Sequence, residues 1–378
     1  MKILGIETSC DETAAAVIEG TNARKQNLVF LRSNVVSSQI NIHKKYGGVV
    51  PEVAAREHVT KILPVVNEAL EKAGIKHGQA AKKITAIAVT AGPGLITSLI
   101  TGIETAKVLS YVWNIPLIAI NHIEAHIYAN FINTKQGTGN KEQNIKFPAL
   151  ILTVSGGHTM LVLMKGHGNY KTIGQTRDDA AGEAFDKAAQ LLELGYPGGP
   201  VISKYADKFI KQTPKTTNYK LQITNKFQNS KFKIQNFLSL PRPMLNSQNF
   251  DFSFSGLKTA LLYAIKKDKQ WEKRIPEYCY EFQQAVIDVL IYKTIKATKK
   301  YNIKTIMLTG GVAANQELRK QMKLEIKKHV PYSMFRIPCL EYTTDNAAMV
   351  ATAGYFHAIK KDFTPWQKIK VNPNLELK

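Results

Sequence analysis

Residues 83–120 read KITAIAVTAGPGLITSLITGIETAKVLSYVWNIPLIAI. Residues 83–90 and 115–120 are apolar runs of strand length, and the turn AGPG separates the first run from a segment long enough for a helix. Two strands that are joined through a helix lie parallel in one sheet. The pattern therefore predicts a βαβ unit, and with it an α/β fold.

The two halves of the chain begin with similar hairpins. In the first, KILGIETS and AAAVIEG flank the polar tip CDET, and in the second, FPALILTVS and TMLVLMKG flank GGH. The second half also ends with a strand at 303–309, two glycines and a long helix at 312–329. We therefore predict two related α/β domains whose hairpin tips face a shared cleft.

The composition limits the class of protein. The chain has 378 residues, of which 44% are hydrophobic and 21% are charged, so it can bury the cores of about two domains. No apolar run reaches the length of a membrane span, and the opening MKILGIETSCDE has acidic residues too early for a secretory signal. The three cysteines form no C-x-x-C pair, which argues against a disulfide framework or a thiolate zinc site. A cytoplasmic protein without a membrane partner is expected.

The charge of the chain is strongly positive. Lys and Arg number 51 against 29 Asp and Glu, which gives a formal net charge of +22. Such a field favours a polyanionic partner, nucleic acid first and an anionic membrane second, although a lysine-biased surface without a partner has the same composition. A lysine-rich insertion near residues 209–238 contains interspersed Tyr and Phe, and is either a nucleic-acid contact or a solvated loop.

Two histidines, His122 and His126, lie four residues apart in NHIEAH. On a helix they share one face and can bind one divalent ion, although ordinary surface histidines show the same spacing. A zinc peptidase needs Glu directly after the first His, whereas Glu124 comes two residues later and points about 200° away. The pattern therefore permits a metal site and argues against a peptidase.

Two acidic residues have no obvious structural role. Asp345 precedes a helix in TTDNAAM, and is either the N-cap of that helix or the carboxylate that completes a two-His, one-carboxylate metal site. Asp11 lies at the tip of the first hairpin, where an Asp commonly bonds its own backbone. Both residues are therefore candidates for the site, each with a plain structural alternative.

Glycine pairs occur where a phosphate can approach the backbone. The first such stretch is VSGGH, which contains Ser155–Gly157. In the second, TGGVAANQ, the end of a strand is followed by two glycines and then by the start of a helix, with Asn315 in its first turn. Both stretches are also ordinary turn or packing sequences. Asp186 falls off the apolar stripe of the helix in AGEAFDKAAQ, and Gly199 lies in the turn YPGGP that follows. Both are further candidates for ligand contact.

Nine motifs occur in order along the chain: GIETSCDET, TAGPGL, NHIEAH, VSGGHT, DDAAGEAFDKAAQLL, YPGGP, DFSFSGLKT, TGGVAANQ and TTDNAAM. Together they closely resemble the bacterial tRNA N6-adenosine threonylcarbamoyltransferase family, TsaD. The match extends over nearly the whole chain. No single motif is specific for the family, but the nine motifs in this order are highly specific. The role of DFSFSGLKT does not follow from its residues.

The resemblance implies the actin/Hsp70/sugar-kinase (ASKHA) fold, in which two α/β domains enclose a nucleotide cleft. We place these domains at residues 1–146 plus 346–378 and at residues 147–345. The implied reaction moves a threonylcarbamoyl group from threonylcarbamoyl-adenylate to N6 of the adenosine at position 37 of tRNAs that read codons beginning with A. The implied partners are the tRNA anticodon loop, a small paralogous TsaB-like protein of the same fold, and a TsaE-like ATPase.

The resemblance also implies site residues. His122, His126 and Asp345 are the implied ligands of one divalent metal, iron (Fe²⁺) first and zinc second, and Asp11 is an acid near the reacting centre. The residues implied to bind the adenylate are Thr153, Val154, Ser155, Gly156, Gly157, Asp186, Gly199 and Asn315.

Three other functions fit parts of the pattern. A small-molecule kinase of the same fold explains the cleft but not the histidine pair, and a metalloendopeptidase is disfavoured by the position of Glu124. A non-catalytic tRNA-binding protein explains the charge but not the glycine-rich hairpin. No convincing Ser-His-Asp or Cys-His set is present in the sequence, which agrees with a reaction that needs no protein nucleophile.

Overall fold

The computed structural model describes residues 1–23, 26–76, 78–133, 145–212 and 238–377. The strands of the first sheet are β1 (Lys2–Glu7), β2 (Glu12–Ala23), β3 (Gln26–Ser38), β4 (Ala86–Gly92), β5 (Leu117–Asn121) and β6 (Ile132–Asn133). Their spatial order is β5-β4-β1-β2-β3-β6. The pairs β1–β2 and β2–β3 are antiparallel, whereas β1–β4 and β4–β5 are parallel. The βαβ unit predicted over residues 83–120 is therefore confirmed.

The second sheet repeats this arrangement. Its strands are β7 (Ala149–Val154), β8 (Thr159–Gly166), β9 (Asn169–Gln175), β10 (Thr305–Thr309) and β11 (Met334–Arg336). Their order is β11-β10-β7-β8-β9, with β7–β8 and β8–β9 antiparallel and β7–β10 and β10–β11 parallel. Five strands of each sheet thus share one order and one set of directions. This is the duplication that the two similar hairpins predict.

Helices cover both faces of the sheets. In chain order they are α1 (Ile40–His43), α2 (Pro51–Lys72), α3 (Ala80–Lys83), α4 (Ile96–Trp113), α5 (His122–Tyr128), α6 (Ala181–Leu191), α7 (Gly198–Gln212), α8 (Ser255–Lys267), α9 (Ile275–Lys300), α10 (Gln316–His329) and α11 (Ala347–Ile359). None of these described helices is long and apolar enough to cross a membrane.

Alternating strand residues divide the core into layers. Along β1, Leu4 and Ile6 face the side that α2 and α4 cover, whereas Ile3 faces α11 and α5. In β7, Ile151 joins the same inner cluster as Ile3, and Leu152 faces the outer helices α6–α10. The middle layer therefore contains α5 and α11 between the two sheets. This places α5, which carries His122 and His126, at the centre of the molecule.

Two helix starts differ from the sequence prediction. The helix expected over 312–329 begins at Gln316, because Gly311–Ala314 form a 3-10 turn and Asn315 is the N-cap that accepts a hydrogen bond from Leu318 N (2.9 Å). Asn315 therefore lies outside the first helical turn. The turn YPGGP is also the beginning of a helix, since its Gly198 is the first residue of α7.

Two predictions about the chain's organisation stay predictions. The lysine-rich insertion near 209–238 lies outside the described residues except at its ends. The division into domains at residues 146 and 345 is not tested by the strand order. Helix α11 does pack against β1, β2 and β4 of the first sheet, as the assignment of residues 346–378 to that sheet requires.

Close packing of α11 on β1 depends on Gly5. A Cβ at this position would lie 2.4 Å from the Ala347 carbonyl oxygen and 2.8 Å from Ala351 Cβ. We expect Gly5→Ala to lower the free energy of unfolding by about 1–3 kcal/mol, because the helix must move away from the sheet. Urea unfolding measures this change. Gly166→Ala is the control, since a Cβ there meets nothing within 4 Å, and equal destabilisation by both variants would contradict the packing argument.

Candidate metal centre and nucleotide cleft

A cavity of about 910 Å³ opens where the two hairpin tips face each other. The first tip contributes Ser9 and Asp11, and the second contributes Ser155–Gly157. His122 and Asp345 line the same cavity from other elements. The shared cleft predicted from the two hairpins is thus present, and it collects residues from both halves of the chain.

Helix α5 starts directly at the end of β5 and carries both histidines. Asn121 caps the helix, because its Oδ1 accepts hydrogen bonds from Ile123 N (2.8 Å) and Glu124 N (3.2 Å). The spacing of four residues then places His122 and His126 side by side, with ring centroids 4.6 Å apart. The shared helix face predicted for the two imidazoles is therefore present.

Asp345 approaches both histidines from the loop before α11. Its Oδ1 lies 3.1 Å from His126 Nε2 and 3.6 Å from His122 Nε2. The N-cap of α11 is Asn346, which accepts a hydrogen bond from Met349 N (3.1 Å). The alternative in which Asp345 is only an N-cap is therefore wrong, and its carboxylate is directed to the histidines.

The three residues fit a divalent metal ion. Donor atoms from His122, His126 and Asp345 all lie within 4.8 Å of one another. His126 is fully buried, yet its ring nitrogens have no hydrogen-bond partner among the described residues, and Nε2 approaches Asp345 without hydrogen-bond geometry. An unpartnered buried nitrogen is unfavourable, and a cation shared with the Asp345 carboxylate satisfies His126 Nε2. Two imidazoles and one carboxylate form a donor set that suits iron or zinc.

Glu7 is a site residue that the sequence does not reveal. This carboxylate at the end of β1 is fully buried and lies 3.1 Å from His122 Nδ1. Thr90 Oγ1 (2.7 Å) and Ser9 N (2.6 Å) donate hydrogen bonds to it. A proton on Nδ1 directed to Glu7 leaves His122 Nε2 free to bind a cation, and such carboxylate–histidine pairs orient metal ligands. The one available signal was an acid that ends the apolar run KILGIE.

The electrostatics of the centre favour a positive charge. Burial alone lowers the pKa of His122, but the carboxylates of Asp345 and Glu7 raise it to about 9. Burial raises the pKa of Asp345, yet His122 and His126 together hold it below its ordinary value. Burial beside the same two rings lowers the pKa of His158 to about 4, so this residue of the second tip is neutral near pH 7.

Glu124 points away from the metal centre, as its position in the helix predicts. Its carboxylate accepts hydrogen bonds from Tyr170 OH (2.8 Å) and His357 Nε2 (3.0 Å). His357 Nδ1 in turn lies 2.7 Å from Asp362 Oδ2. Glu124 therefore ties α5 to β9 and α11, and it is not placed to act as the general base of a peptidase.

The second hairpin tip is open towards the cavity. Ser155 Oγ accepts a hydrogen bond from His158 N (3.0 Å), and Ser155 O accepts one from Gly182 N (3.1 Å) at the start of α6. A Cβ at Gly156 or Gly157 would meet nothing within 4 Å. These two glycines therefore leave open space beside the backbone, which agrees with the approach of a phosphate and not with close packing.

Thr153 and Val154 differ from the rest of this stretch. Both are fully buried in β7, Val154 belongs to the outer core, and neither lines a cavity that contains Ser155. Successive residues of a strand point to opposite faces of the sheet, and both faces of the second sheet are covered here, so both residues are buried. The structure therefore does not place these two residues at the surface of either cavity.

A second cavity of about 670 Å³ contains the remaining candidates. Asp186, Gly199 and Asn315 line it together with Gly156, and Asp186 and Gly156 also line the first cavity. Asp186 Oδ1 accepts a hydrogen bond from Gly198 N (2.7 Å), and burial raises the pKa of its carboxyl group. The two cavities therefore meet beside Gly156 and Asp186, where a ligand can extend from one into the other.

A row of lysines on α7 borders the second cavity. Lys204, Lys208 and Lys211 all line it, and their spacing of four and three residues places them on one helix face. Only Lys211 belongs to the lysine-rich insertion predicted near residues 209–238, and no sequence pattern singled out Lys204 or Lys208. The structure brings this positive charge next to Asp186 and Gly199, where it can neutralise an anionic ligand.

Asp11 reaches the first cavity from the tip of the first hairpin. Its residue is 8% exposed, and its side chain lies beside those of Cys10 and Glu12. Burial, with Asp345 and Asp11 nearby, raises the pKa of Glu12 well above its ordinary value. Asp11 lines the same cavity as Ser155–Gly157, but from the first hairpin tip.

The DFSFSGLKT signature has a structural role. Asp178 caps α8, because its carboxylate accepts hydrogen bonds from Phe254 N (2.8 Å), Ser255 N (3.3 Å) and Ser255 Oγ (2.8 Å). Arg177 Nε and Nη2 both donate to Asp251 Oδ2, at 2.9 and 2.8 Å. The signature thus fixes the loop that leads into α6, and α6 in turn contacts the second hairpin tip.

Duplicated α/β sheets around a shared cleft define a protein of the ASKHA class. Among solved structures, HypF from T. kodakarensis aligns with a TM-score of 0.50 and 12% sequence identity, covering 96% of this chain and 48% of HypF. At this identity the likeness concerns the fold alone. The predicted fold class is confirmed.

The sequence places the chain within this class. It matches the family profile described as TsaD, tRNA N6-adenosine threonylcarbamoyltransferase, over residues 30–352. Proteins of that name from Dehalococcoides mccartyi and Bacillus subtilis are 48% identical over 95% of this chain and 94% of the relative, and 44% identical over 100% and 96%. The chain belongs to the tRNA N6-adenosine threonylcarbamoyltransferase family, and it is a transferase that adds threonylcarbamoyl to tRNA. The kinase and peptidase alternatives are not favoured.

Proposed function

We propose that His122, His126 and Asp345 hold one divalent metal ion, iron first and zinc second, at the end of the cleft. The buried His126 Nε2 carries this proposal, because it makes no hydrogen bond although it lies 3.1 Å from Asp345 Oδ1. Glu7 orients His122 for the same task. When bound, the ion acts as a Lewis acid that polarises an oxygen of the donor substrate.

The donor in this proposal is threonylcarbamoyl-adenylate, a mixed anhydride. The adenine N6 is a weak nucleophile because its lone pair is delocalised into the ring, so it needs an activated acyl donor. N6 attacks the carbamoyl carbon, the bond from that carbon to the phosphate oxygen breaks, AMP leaves, and N6 loses a proton. No protein nucleophile is needed, so the chain's residues bind, orient and accept the proton.

The second hairpin tip receives the phosphate of the donor. The Ser155 hydroxyl and the backbone at Gly156 and Gly157 border the open space that a phosphate needs. Asp186, Gly199 and Asn315 line the adjoining cavity for the nucleoside part. Thr153 and Val154 support the tip through their backbone.

Asp11 is proposed to accept the proton of N6 or to orient the amine. It lines the same cavity as the phosphate-binding tip, but from the other hairpin, so it can reach an amine that attacks an acyl group bound between the two tips. A single-stranded anticodon loop can present an unstacked base to this cavity.

One assay tests this function. The purified protein receives threonylcarbamoyl-adenylate and unmodified tRNA, together with the implied partner proteins, and the tRNA nucleosides are analysed by mass spectrometry. We expect N6-threonylcarbamoyladenosine in the tRNA. Phosphorylation of a small molecule from ATP without any modified nucleoside would favour the kinase alternative and contradict the proposal.

Binding of tRNA should be strongly dependent on salt, because the net charge of +22 is available for phosphate contacts. Even a few such contacts predict a fall in affinity of at least about tenfold between about 50 and 200 mM salt, since each contact releases counterions. Fluorescence anisotropy with labelled tRNA measures the change. An affinity that is the same at both salt concentrations would show that the positive charge does not contribute to tRNA binding. We propose that the protein acts in the cytoplasm, where its tRNA substrate is available.

The proposed partner of the same fold docks on α2 and α4. These neighbouring helices carry apolar side chains that are more than half exposed, namely Val59, Leu63, Val108, Tyr111 and Val112. Trp366 extends the surface through its ring contact with Tyr111, at a centroid distance of 5.4 Å. Isolated exposed apolar residues are common, but several on two helices that pack against each other are typical of an interface. The ATPase partner is proposed from the family resemblance alone.

We expect Leu63→Glu combined with Val112→Glu to abolish co-purification of the paralogous partner. Charges on a contact surface oppose burial, whereas the stability of the isolated chain should change by less than about 0.5 kcal/mol because both sites are exposed. Leu324→Glu is the control, since Leu324 on α10 is similarly exposed but distant in the fold. Unchanged co-purification of the double variant would rule out this face.

A further inference from the structure

His58 is a buried residue of α2 that has no part in the roles described so far. Its ring is fully buried and contacts the first hairpin. Nε2 lies 2.9 Å from the Cys10 carbonyl oxygen, and Nδ1 lies 2.7 Å from Thr13 Oγ1. A carbonyl oxygen can only accept, so Nε2 carries the proton and donates to Cys10, while Nδ1 accepts from the Thr13 hydroxyl. Burial lowers the pKa of His58 and keeps this neutral form.

The two bonds of His58 lie on either side of Asp11. A third bond fixes Asp11 itself, because Gln39 N donates to the Asp11 carbonyl oxygen (3.0 Å). The Gln39 side chain is held in turn by α2, since its Nε2 donates to Ala54 O (3.3 Å). The hairpin tip is therefore bonded directly to α2 at Cys10 and Thr13, and indirectly, through Gln39, at Asp11. An apolar residue in place of His58 fills the space but makes neither bond.

We infer that His58 is a positioning residue for threonylcarbamoyl transfer, which fixes the first hairpin tip so that the Asp11 carboxylate faces the second tip across the cavity. The inference rests on the role proposed for Asp11. A general base acts only within hydrogen-bond reach of its proton. A displacement of about 1 Å costs about 100-fold in rate. Cys10 and Asp11 lie outside the strand pairings of β1, β2 and β3, so loss of the His58 bonds removes contacts that hold this part of the tip.

The first measurement is the steady-state kinetics of His58→Leu with partner proteins, adenylate and tRNA. We expect kcat to fall by about 10- to 100-fold, with KM for both substrates and the metal content unchanged within about twofold. His58→Gln keeps a donor where Nε2 was, and should recover part of the loss. His167→Leu is the control, because His167 stacks on Phe356 at 4.1 Å, far from the tip, and should alter stability without altering kcat.

The second measurement places His58→Leu in the Asp11→Asn background. Because His58 acts through Asp11, the double variant should transfer within about twofold of Asp11→Asn alone. A further loss as large as in the wild-type background, a rise in KM in place of the fall in kcat, or no recovery by His58→Gln would each overturn the inference. Wild-type transfer by Asp11→Asn would instead show that the proposed role of Asp11 is wrong, and the inference falls with it.

Thr13→Val tests the same point with less disturbance of the fold. Valine has nearly the volume of threonine, so only the hydroxyl that bonds His58 Nδ1 is removed. We expect a fall in kcat of about 3- to 10-fold, because one of the two bonds of His58 is lost. In the Asp11→Asn background, Thr13→Val should leave kcat unchanged, as is expected for His58→Leu. An unchanged kcat in a folded Thr13→Val protein would overturn the inference even where His58→Leu does not fold.

Discussion

Asp345→Ala should give a folded protein that has lost its bound metal and, with it, more than about 100-fold of its transfer activity. The loss exceeds the 10- to 100-fold that follows removal of a residue that only orients a ligand, because a direct ligand is removed. Two imidazoles on one short helix then remain, which are too few to retain the ion at normal affinity. Elemental analysis, thermal unfolding and a transfer assay measure the three quantities.

Glu341→Ala is the matched control for this experiment. Glu341 is an exposed acid in the same loop, four residues before Asp345, so its removal should change neither metal content nor transfer. His126→Ala should repeat the Asp345→Ala result from the other side of the site. Full transfer by a metal-free Asp345→Ala protein would show that these residues do not hold a functional ion.

Asp11→Asn should lower transfer by about 100- to 10,000-fold, the usual contribution of a general base. The amide keeps the size and most hydrogen bonds of the tip but cannot accept a proton. Metal content, adenylate binding and tRNA binding should therefore persist, so the loss appears in the single-turnover rate and not in affinity. These unchanged quantities are the controls within the same sample.

The opposite outcome for Asp11 is equally clear. Near-normal single-turnover transfer by Asp11→Asn would leave Asp11 as a turn residue, and the proton of N6 would need another acceptor. Simultaneous loss of metal or of tRNA binding would indicate a structural role, because it would show that the tip had moved away from the cleft.

Local sequence patterns predicted the central strands of both sheets, but not β3, β6, β9 or β11. Apolar runs on both sides of a polar tip predicted both hairpins, and the turn AGPG between two apolar runs predicted the parallel unit. They also predicted the shared face of His122 and His126, because a helix fixes residues four apart. These features depend on neighbours in sequence, and backbone geometry alone relates such neighbours in space.

The remaining features depend on contacts between distant residues. Glu7 and His122 are 115 positions apart, so no local pattern reveals that a carboxylate at the end of β1 lies against the His122 ring. Asp345 and Asn346 are both good caps by residue type, and only the fold shows that Asn346 caps α11. Burial of Thr153 and Val154 likewise depends on the helices that cover the second sheet.

Anomalous X-ray diffraction from crystals of the metal-loaded protein tests the metal centre most directly. Data at the iron or zinc absorption edge locate the ion without any assumption about its ligands. We predict one peak at about 2.0–2.2 Å from a ring nitrogen of His122, a ring nitrogen of His126 and an oxygen of Asp345. A metal peak bound elsewhere in the chain, with these three residues contacting only one another, would contradict the assignment.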